Sequence, residues 1–378
     1  MAGDAAEIPR YRAVESFCGP GGLSLGLHRA GFDVRLAFDA DAMAVETHRR
    51  NLPGTCIVAL AEYLTGRDVM AAGGLASGDL DLFSGGPPCQ GFSKQKRGAH
   101  LGDARNQLVL EYGRLVLELR PRFFLLENVG MFGKKRGRAY LESLVDMLPD
   151  YVLHKHMYNC ADYGLAQTRE RCIIVGRRRD QPGGFRPPAP TVQRWRTVAE
   201  AIGDLPEPPD DYTDHLAFPN HQRARVTQPN IDRFSFVPQG GGWQDIPLEH
   251  RLECHKNADV TSGGWPDVYG RLAWDGQCPT ITGGFDSFTR GRYGHPLHNR
   301  PLTPREAARI QGFPDTFVFA GTRANVRSQI GNAVPPPLAE AVGRAILHSL
   351  MVSDGLTSDE PAAPDYADEE QMLLPLFG

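Results

Sequence analysis

One cysteine of the chain lies in a segment whose composition favours a reactive thiol. Cys89 belongs to the stretch GGPPCQGFS at residues 85–93, where two prolines and the flanking glycines restrict the backbone. Lys94, Lys96 and Arg97 follow directly. Nearby positive charge lowers the pKa of a thiol and so increases the fraction of nucleophilic thiolate. A lone cysteine is more often a small buried hydrophobic residue, but the rigid polar loop favours Cys89 as a nucleophile.

Two further segments carry groups that can move protons or bind anions. Glu127 ends the apolar run FFLLEN at 123–128, and burial at a strand end raises a carboxyl pKa, so that Glu127 can donate a proton. A strand-end cap is the alternative interpretation. Arg169 and Arg171 alternate in QTRER, so on an extended segment both face one side and can bind a phosphate or a base carbonyl. An exposed strand edge explains them equally.

A glycine turn near the N-terminus is typical of a ligand-binding loop. Residues 17–22, FCGPGG, follow a short apolar run and precede a helical pattern, so the backbone can approach a ligand closely. Asp39 ends the next predicted strand and can accept hydrogen bonds from ribose hydroxyls. The turn is not the dinucleotide fingerprint G-x-G-x-x-G. It indicates a nucleoside-containing cofactor, with a purely structural tight turn as the alternative.

The elements that position these groups follow from hydrophobic periodicity. Strands are predicted at 13–17, 33–38, 80–84, 123–128 and 171–176, alternating with helices that end at Gly31 or span 42–50, 106–119 and 138–148. This alternation predicts an α/β fold with a doubly wound, mostly parallel sheet. Ligands bind at the carboxyl ends of such strands, so the loops with Cys89, Glu127 and the glycine turn should meet at one rim.

The rest of the chain has a different character. Proline and glycine increase over 181–300, all four tryptophans lie there, and helical periodicity fades, which predicts a loop-rich, mainly β or irregular second domain. Helices are predicted at 303–311, with Thr303 as N-cap and Pro304 at the first position, and at about 337–350. The acidic segment 353–378 is expected to be disordered.

Composition and charge exclude several classes of protein. No run approaches ~18 apolar residues, and no basic and apolar leader opens the chain, so a cytoplasmic protein is expected. Seven cysteines without a C-x-x-C pair argue against a zinc finger or a disulfide scaffold, and no metal site is predicted. The net charge is −4, but the acidic tail contributes seven acids, and residues 94–140 are locally basic. Such a surface fits a phosphate-binding groove or a solvated helix face.

Six blocks in a fixed order resemble one family. FCGPGG, GGPPCQGFS, ENV, QTRER, RPLTPREAARIQGFP and GNAVPPP occur in the order typical of the C5-cytosine DNA methyltransferases, especially the bacterial modification enzymes of restriction–modification systems. The resemblance covers roughly 12–178 and 300–347. The remaining segment, 181–299, occupies the place of that family's target-recognition domain, and its CPTITGG stretch is similar to a threonine-rich element of such domains.

The resemblance implies a reaction, a cofactor and roles for particular residues. The cofactor is S-adenosylmethionine, and the thiolate of Cys89 attacks C6 of cytosine, while Glu127 protonates N3, Asn128 holds that loop, and Arg169 and Arg171 bind the O2 side. Arg169 is expected to make the more direct contact. The implied cofactor contacts are Phe17, Gly19, Gly21, Gly22, Leu23, Asp39, Pro87, Asn332 and Ala333.

Two departures from the family pattern concern the cofactor. The acid after the second strand is the shorter Asp39 where relatives usually have Glu, and Ala59 stands where many relatives have an Asp that faces the adenine amino group. The cofactor's identity is expected to be unchanged, with weaker binding.

The resemblance also implies a substrate and a domain layout. The target cytosine must leave the stack of duplex DNA. Phosphates are expected at 94–105 and 134–138, and base contacts within 181–299, for which Arg290, Arg292 and Gln239 are candidates. The predicted layout is a catalytic and cofactor-binding domain at 1–180, a target-recognition domain with hinge at 181–321, a returning segment at 322–352 and the tail at 353–378. A monomer is expected, with a restriction endonuclease of the same specificity as a possible companion.

Two other functions stay open at this point. The same chemistry on tRNA is one, although the long 181–299 segment favours duplex DNA. A non-catalytic DNA-binding protein that kept the fold is the other, and the intact catalytic set argues against it. A nicotinamide-dependent oxidoreductase leaves the PPC loop unexplained.

Overall fold

The computed structural model describes residues 10–88, 107–130, 132, 138–256 and 266–358. Cys89 and most of the basic positions expected at phosphates lie outside the described residues, as does the tail from 359 onward. None of the helices in the described ranges is long and apolar enough to cross a bilayer.

A seven-stranded sheet forms the centre of the molecule. Its strands are β1 (Arg12–Ser16), β2 (Asp33–Asp39), β3 (Thr55–Val58), β4 (Leu82–Gly85), β5 (Phe123–Val129), β6 (Tyr151–Asn159) and β8 (Glu170–Arg178). They lie in the order β3-β2-β1-β4-β5-β8-β6. The pairs from β3 through β5 are parallel, whereas β8 runs antiparallel to both β5 and β6. The predicted α/β fold with a mostly parallel sheet is therefore confirmed.

Helices cover both faces of the sheet. On one face α1 (Gly22–Ala30) packs with α11 (Pro336–Ser353), and on the other lie α3 (Gly66–Ala72), α4 (Gln107–Leu119) and α5 (Arg138–Met147). Neighbouring strand residues point to opposite faces, so that Phe123 joins the first core and Phe124 the second. The helix α2 (Ala42–Asn51) connects β2 and β3 and begins at the N-cap Asp41.

Local signals located most of these elements, and long-range pairing located the rest. Gly31 ends α1 in the left-handed conformation with φ 110°, and Thr303 forms a capping box at the start of α9 (Pro304–Ile310), as predicted. The sequence did not predict β6, nor α10 (Arg323–Asn332), which contains the GN of the GNAV motif. The charged β6 pairs with β8 only, at the edge of the sheet.

The segment 181–300 is loop-rich, and of the two predicted alternatives, mainly β or irregular, its described residues fit the irregular one. Its elements there are α6 (Val198–Ile202), α7 (Gln228–Ser235), α8 (Glu253–Lys256), two short 3₁₀ turns and the two-residue strand β9 (Cys278–Pro279). β9 pairs in parallel with β7 (Gln167–Thr168). Backbone carbonyls without a sheet partner need other donors. The buried Arg271 supplies them, with hydrogen bonds to the carbonyls of Phe234, Val237 and His295.

Candidate active site

A pocket of about 410 Å³ opens at the carboxyl ends of β1, β2, β4 and β5. The loop after β1 contributes Phe17 and Gly19, β2 contributes Asp39, the loop after β4 contributes Pro87, and β5 contributes Glu127. The loops that the sequence predicted to meet at one rim do meet there. Five more of the expected site residues also line this pocket: Asn128, Arg169, Arg171, Asn332 and Ala333.

Glu127 and Arg171 form an ion pair in the pocket wall. Arg171 Nε lies 2.8 Å from Glu127 Oε1, and each side chain is only about a tenth exposed. Burial raises the pKa of Glu127 above its ordinary value of 4.5, while the charges of Arg171 and Arg169 oppose that shift. The net direction keeps a proton on Glu127 at a higher pH than on an exposed glutamate. Glu127 is therefore suited to donate a proton beside a cation that holds it in place.

Asn128 connects the end of β5 to the loop that precedes Cys89. Its Nδ2 donates to the carbonyl oxygen of Pro87 at 3.1 Å, and its Oδ1 accepts from the N–H of Val129 at 2.8 Å. Gly86 lies so close to Glu127 that a Cβ at this position would be 3.0 Å from Glu127 Oε2. The GGPP segment and the ENV segment are thus held together by the amide of Asn128 and by the absence of a side chain at Gly86.

Arg169 has a different environment from Arg171, and their expected ranking as contacts to the base stays a prediction. Arg169 is fully buried, and its guanidinium donates to the carbonyl oxygens of Ile281 at 2.7 Å, Gly331 at 3.0 Å and Ala333 at 3.2 Å. Burial lowers its pKa to about 9, which still leaves it charged at neutral pH. Arg171 is the arginine that contacts Glu127, whereas Arg169 mainly joins three backbone segments.

A second contact beside Arg169 joins the same segments. Gln167 accepts from the N–H of Ile281 and donates to Gln311, which in turn donates to the carbonyl of Ala333. Because Gln167 and Gln311 are fully buried, each amide group needs these partners. The TITGG segment and the end of α10 are therefore fixed against the strand that leads to Arg171.

Asp39 is held in place by backbone donors. Its Oδ2 accepts from the N–H of Gly19 and its Oδ1 from the N–H of Asp41, both at 2.8 Å. Burial raises its pKa, and these hydrogen bonds oppose the shift. A carboxylate has about four acceptor positions, so these backbone donors leave room for a hydroxyl group of a ligand. These acceptor positions fit the ribose hydroxyls of S-adenosylmethionine, and the apolar Phe17 and Phe38 line the same pocket.

Three of the expected cofactor residues do not line the pocket. Gly21 is the N-cap of α1 with φ 100°, and Leu23 is buried in the core between α1 and α11. A Cβ on Gly22 would overlap the carbonyl oxygen of Val334. These residues shape the turn and seat it against the segment after α10. The sequence analysis did not single out the pocket residues Asp41, Glu62 and Gln329. Asp41 and Glu62 follow the carboxyl ends of β2 and β3, where ligands of parallel sheets bind, so that rule could have identified them.

A buried cluster lies directly behind the glycine turn. Cys18 Sγ and Cys56 Sγ are 3.8 Å apart, and the ligand-capable atoms of Cys18, His48 and Cys56 all lie within 4.8 Å of one another. His48 Nε2 is 3.0 Å from Ser24 Oγ, which donates to the fully buried Glu15. Sequence spacing does not reveal this cluster, because its members come from four different elements.

The three residues expected to contact DNA bases differ in whether their side chains are already bound within the protein. Arg292 donates to the carbonyl oxygens of Gly240 and Gly241 and pairs with Asp267, so it holds a loop. Gln239 accepts from the N–H of Trp274 at 3.4 Å. Arg290 is exposed and lines a second cleft of about 720 Å³. Of the three, Arg290 is the side chain placed to reach a ligand.

Comparisons with known proteins agree with this geometry. A family model described as C-5 cytosine-specific DNA methylase matches residues 11–348. The chain is 35% identical over 347 residues to the type II methyltransferase M.PspPI of Psychrobacter sp. (strain TA137), covering 90% of this chain and 80% of that protein. It is 36% identical over 362 residues to the type II methyltransferase M.BbvI of Brevibacillus brevis, covering 89% and 91%. The crystal structure of S. pombe Dnmt2 methyltransferase is similar in fold, with a TM-score of 0.55 at 17% identity, covering 92% of this chain and 99% of that one.

Proposed function

Because the chain belongs to the family of C-5 cytosine-specific DNA methylases, we propose that Cys89, Glu127 and Arg171 carry its reaction at the rim of the sheet. The protein is a DNA (cytosine-5-)-methyltransferase of the type found in type II restriction–modification systems, and its cofactor is S-adenosylmethionine. The observation that supports the residue assignment is the buried Glu127–Arg171 pair, 2.8 Å apart, in the wall of the pocket that Pro88 also lines.

The chemistry of cytosine explains why these groups are needed. C5 of cytosine is a poor nucleophile, so the thiolate of Cys89 first forms a bond to C6. Glu127 donates its proton to N3 as the electron pair moves onto the ring, and Arg171 stabilises the carboxylate that remains. C5 then takes the methyl group that S-adenosylmethionine supplies. Loss of the C5 proton to a base restores the C5–C6 double bond and expels Cys89 as thiolate, and N3 returns its proton to Glu127.

Other residues are assigned to positioning and to the cofactor. Asn128 orients the loop that leads to Cys89 through its hydrogen bond to Pro87. Arg169 fixes the TITGG segment and the end of α10 around the site. Asp39 binds the cofactor's hydroxyl groups, and the pocket residues Phe17, Gly19, Pro87, Asn332 and Ala333 surround the rest of it. We assign Gly21, Gly22 and Leu23 to the shape of the turn.

The domain layout and the partners form part of the same proposal. Residues 1–180 with 322–352 form the catalytic unit, and 181–321 form the target-recognition unit with its hinge, so that duplex DNA lies between them. The protein acts as a monomer in the bacterial cytoplasm, beside a restriction endonuclease of the same specificity. The bacterial type II methyltransferases among its relatives support this view.

Covalent trapping tests the assignment of Cys89. Duplex oligonucleotides that contain 5-fluorocytosine in the recognition site should form a stable adduct with the protein in the presence of S-adenosylmethionine, because fluorine cannot leave as the proton does. Cys89→Ser should abolish both the adduct and the transfer of labelled methyl groups. Cys254→Ser, at an exposed cysteine, is the matched control and should retain both.

The outcomes separate the alternatives. Full transfer by Cys89→Ser contradicts the nucleophile assignment. Labelling of tRNA in preference to DNA favours the RNA substrate, and DNA binding without any transfer favours a non-catalytic role. Bisulfite sequencing of host DNA in cells that express the protein then identifies the methylated base and its sequence context.

A further inference from the structure

A second cleft of about 720 Å³ is lined by five arginines and one acid. The arginines are Arg223, Arg225, Arg290, Arg323 and Arg327, and the acid is Asp286. Arg223 pairs with Glu207 and Asp210 outside the lining, so the other four arginines and Asp286 leave a net charge of +3 in the cleft. A concave surface with this excess attracts anions, because field lines concentrate in a cleft with low-dielectric walls.

Asp286 fixes two of these arginines side by side. Arg323 Nε lies 3.0 Å from Asp286 Oδ2, and Arg327 Nη1 lies 3.1 Å from Asp286 Oδ1. Arg323 Nη1 also donates to the carbonyl oxygens of Gln222 and Arg223. One carboxylate thus holds two guanidinium groups, whose mutual repulsion one further negative charge would relieve.

Two donors of this pair are left without a partner. Arg323 Nη2 and Arg327 Nε are buried and have no hydrogen-bond partner among the described residues. A buried donor without an acceptor costs roughly 1–3 kcal/mol, and more when it is charged. A negatively charged group in the cleft would be attracted by these two adjacent guanidinium groups, and a phosphate is such a group.

Two more arginines extend the cleft toward solvent. The guanidinium carbon of Arg225 lies 4.6 Å from the centre of the Tyr212 ring, a stacking contact that orients the side chain and leaves its N–H groups free to donate. Arg290 is exposed, and its side chain has no hydrogen bond or ion pair to another described residue, since only its backbone N–H donates, to the carbonyl oxygen of Ser287. Exposed and oriented arginines around buried ones suit an extended polyanion better than a single small anion.

The helix α10 links this cleft to the catalytic pocket. Arg323 and Arg327 line the cleft, whereas Ser328, Gln329 and Asn332 of the same helix line the pocket. Arg327 and Asn332 are five residues apart, which corresponds to ~7.5 Å along an α-helix. This distance amounts to no more than a few nucleotides of a DNA strand, since successive phosphates of one strand lie several ångströms apart.

From this geometry we infer that the cleft of Arg225, Arg290, Arg323 and Arg327 binds backbone phosphates of the DNA strand beside the flipped cytosine. This inference rests on the proposed function, because it takes the pocket as the place of the target base. The contacts go to phosphates and not to base edges, so they contribute affinity and register without sequence preference.

The test is the salt dependence of DNA binding. Arg290→Gln and Arg327→Gln should each weaken binding of the cognate duplex about tenfold and reduce the slope of log K against log salt by ~0.9 per lost phosphate contact. KM for DNA should rise, whereas kcat should stay within about twofold of the wild-type value. The affinity for S-adenosylmethionine should be unchanged. Arg344→Gln, which removes an exposed arginine of α11, is the control for loss of charge and should leave the slope unchanged.

Several outcomes would overturn the inference. An unchanged slope in both variants, or an altered sequence preference in place of a uniform loss, excludes a backbone-phosphate site. A second contradicting outcome is that inorganic phosphate binds in the cleft while the salt dependence of DNA binding is the same in the variants and the wild type. The ligand of the cleft would then be a free anion and not DNA. A wild-type protein that binds DNA without methylating it refutes the proposed function and leaves this binding test readable.

Discussion

Arg171 Nε lies 2.8 Å from Glu127 Oε1, although burial raises the pKa of that carboxyl group. The two effects act on different forms of the acid. In the proposed mechanism, burial favours the protonated form before the reaction, and the guanidinium stabilises the carboxylate that remains after the proton has left. The strand register explains this ion pair. In the antiparallel ladder of β5 and β8, Arg171 lies opposite Val129, which is two residues from Glu127. The side chains of Glu127 and Arg171 are therefore diagonal neighbours on the same face of the sheet.

Glu127→Gln should lower kcat by roughly 10²–10³ while the affinity for S-adenosylmethionine is retained, because the amide cannot supply the proton. Fold stability should behave differently. Folding raises the pKa of Glu127 above its ordinary value of 4.5. The folded protein therefore loses stability relative to the unfolded chain as pH rises above 4.5 and Glu127 ionises. The free energy of unfolding of the variant near pH 8 should therefore equal or exceed that of the wild type, as measured by urea titration. A marked loss would contradict the net direction of the pKa shift.

Arg169→Met and Arg171→Met should differ in what they damage. Loss of Arg169 leaves the buried carbonyls of Ile281, Gly331 and Ala333 without this donor, and the cost should reach at least ~3 kcal/mol. Loss of Arg171 should mainly lower kcat and shift its pH profile, because Glu127 loses its neighbouring cation. Urea unfolding and single-turnover kinetics of the two variants separate the effects. Equal stability of both variants would argue against the structural assignment of Arg169.

Glu15→Gln should change the pH dependence of stability. Burial raises the pKa of Glu15 from 4.5 to about 8 in the folded protein. In that window the unfolded chain has already released the proton that the folded chain keeps, so stability falls as pH rises, on the order of a few kcal/mol in total. Gln does not titrate, and the variant should show a flatter curve and higher stability at pH 8. Glu46→Gln, at an exposed position of α2, should follow the wild-type curve.

Gly22→Ala should destabilise the protein by about 1–3 kcal/mol and weaken cofactor binding. The added Cβ overlaps the carbonyl oxygen of Val334, and a backbone atom cannot rotate away as a flexible side chain can. Val334 lines the pocket, so its displacement should raise the dissociation constant for S-adenosylmethionine in calorimetry. Gly184→Ala is the control, because its Cβ meets nothing within 4 Å, and it should be close to neutral.

The sequence by itself determined the alternation of strands and helices, the family and the loops that meet at the rim. These features depend on local patterns: apolar runs at 13–17 and 123–128, the capping box at Thr303 and the glycine turn before α1. The parallel order of β1, β4 and β5 made the ends of these strands neighbours, which is why the motif residues Gly19, Pro87 and Glu127 were correctly expected together.

Only the tertiary structure decided which of two similar arginines contacts Glu127. Arg169 and Arg171 are two residues apart, and nothing in their local sequence distinguishes them. Their environments differ because β9 and α10, distant along the chain, pack over Arg169 and present carbonyl groups to it. The arginine cleft has the same origin, since Asp286 pairs with Arg323 and Arg327 across about forty residues of chain. Long-range packing, which sets burial and partners, is the information that local patterns lack.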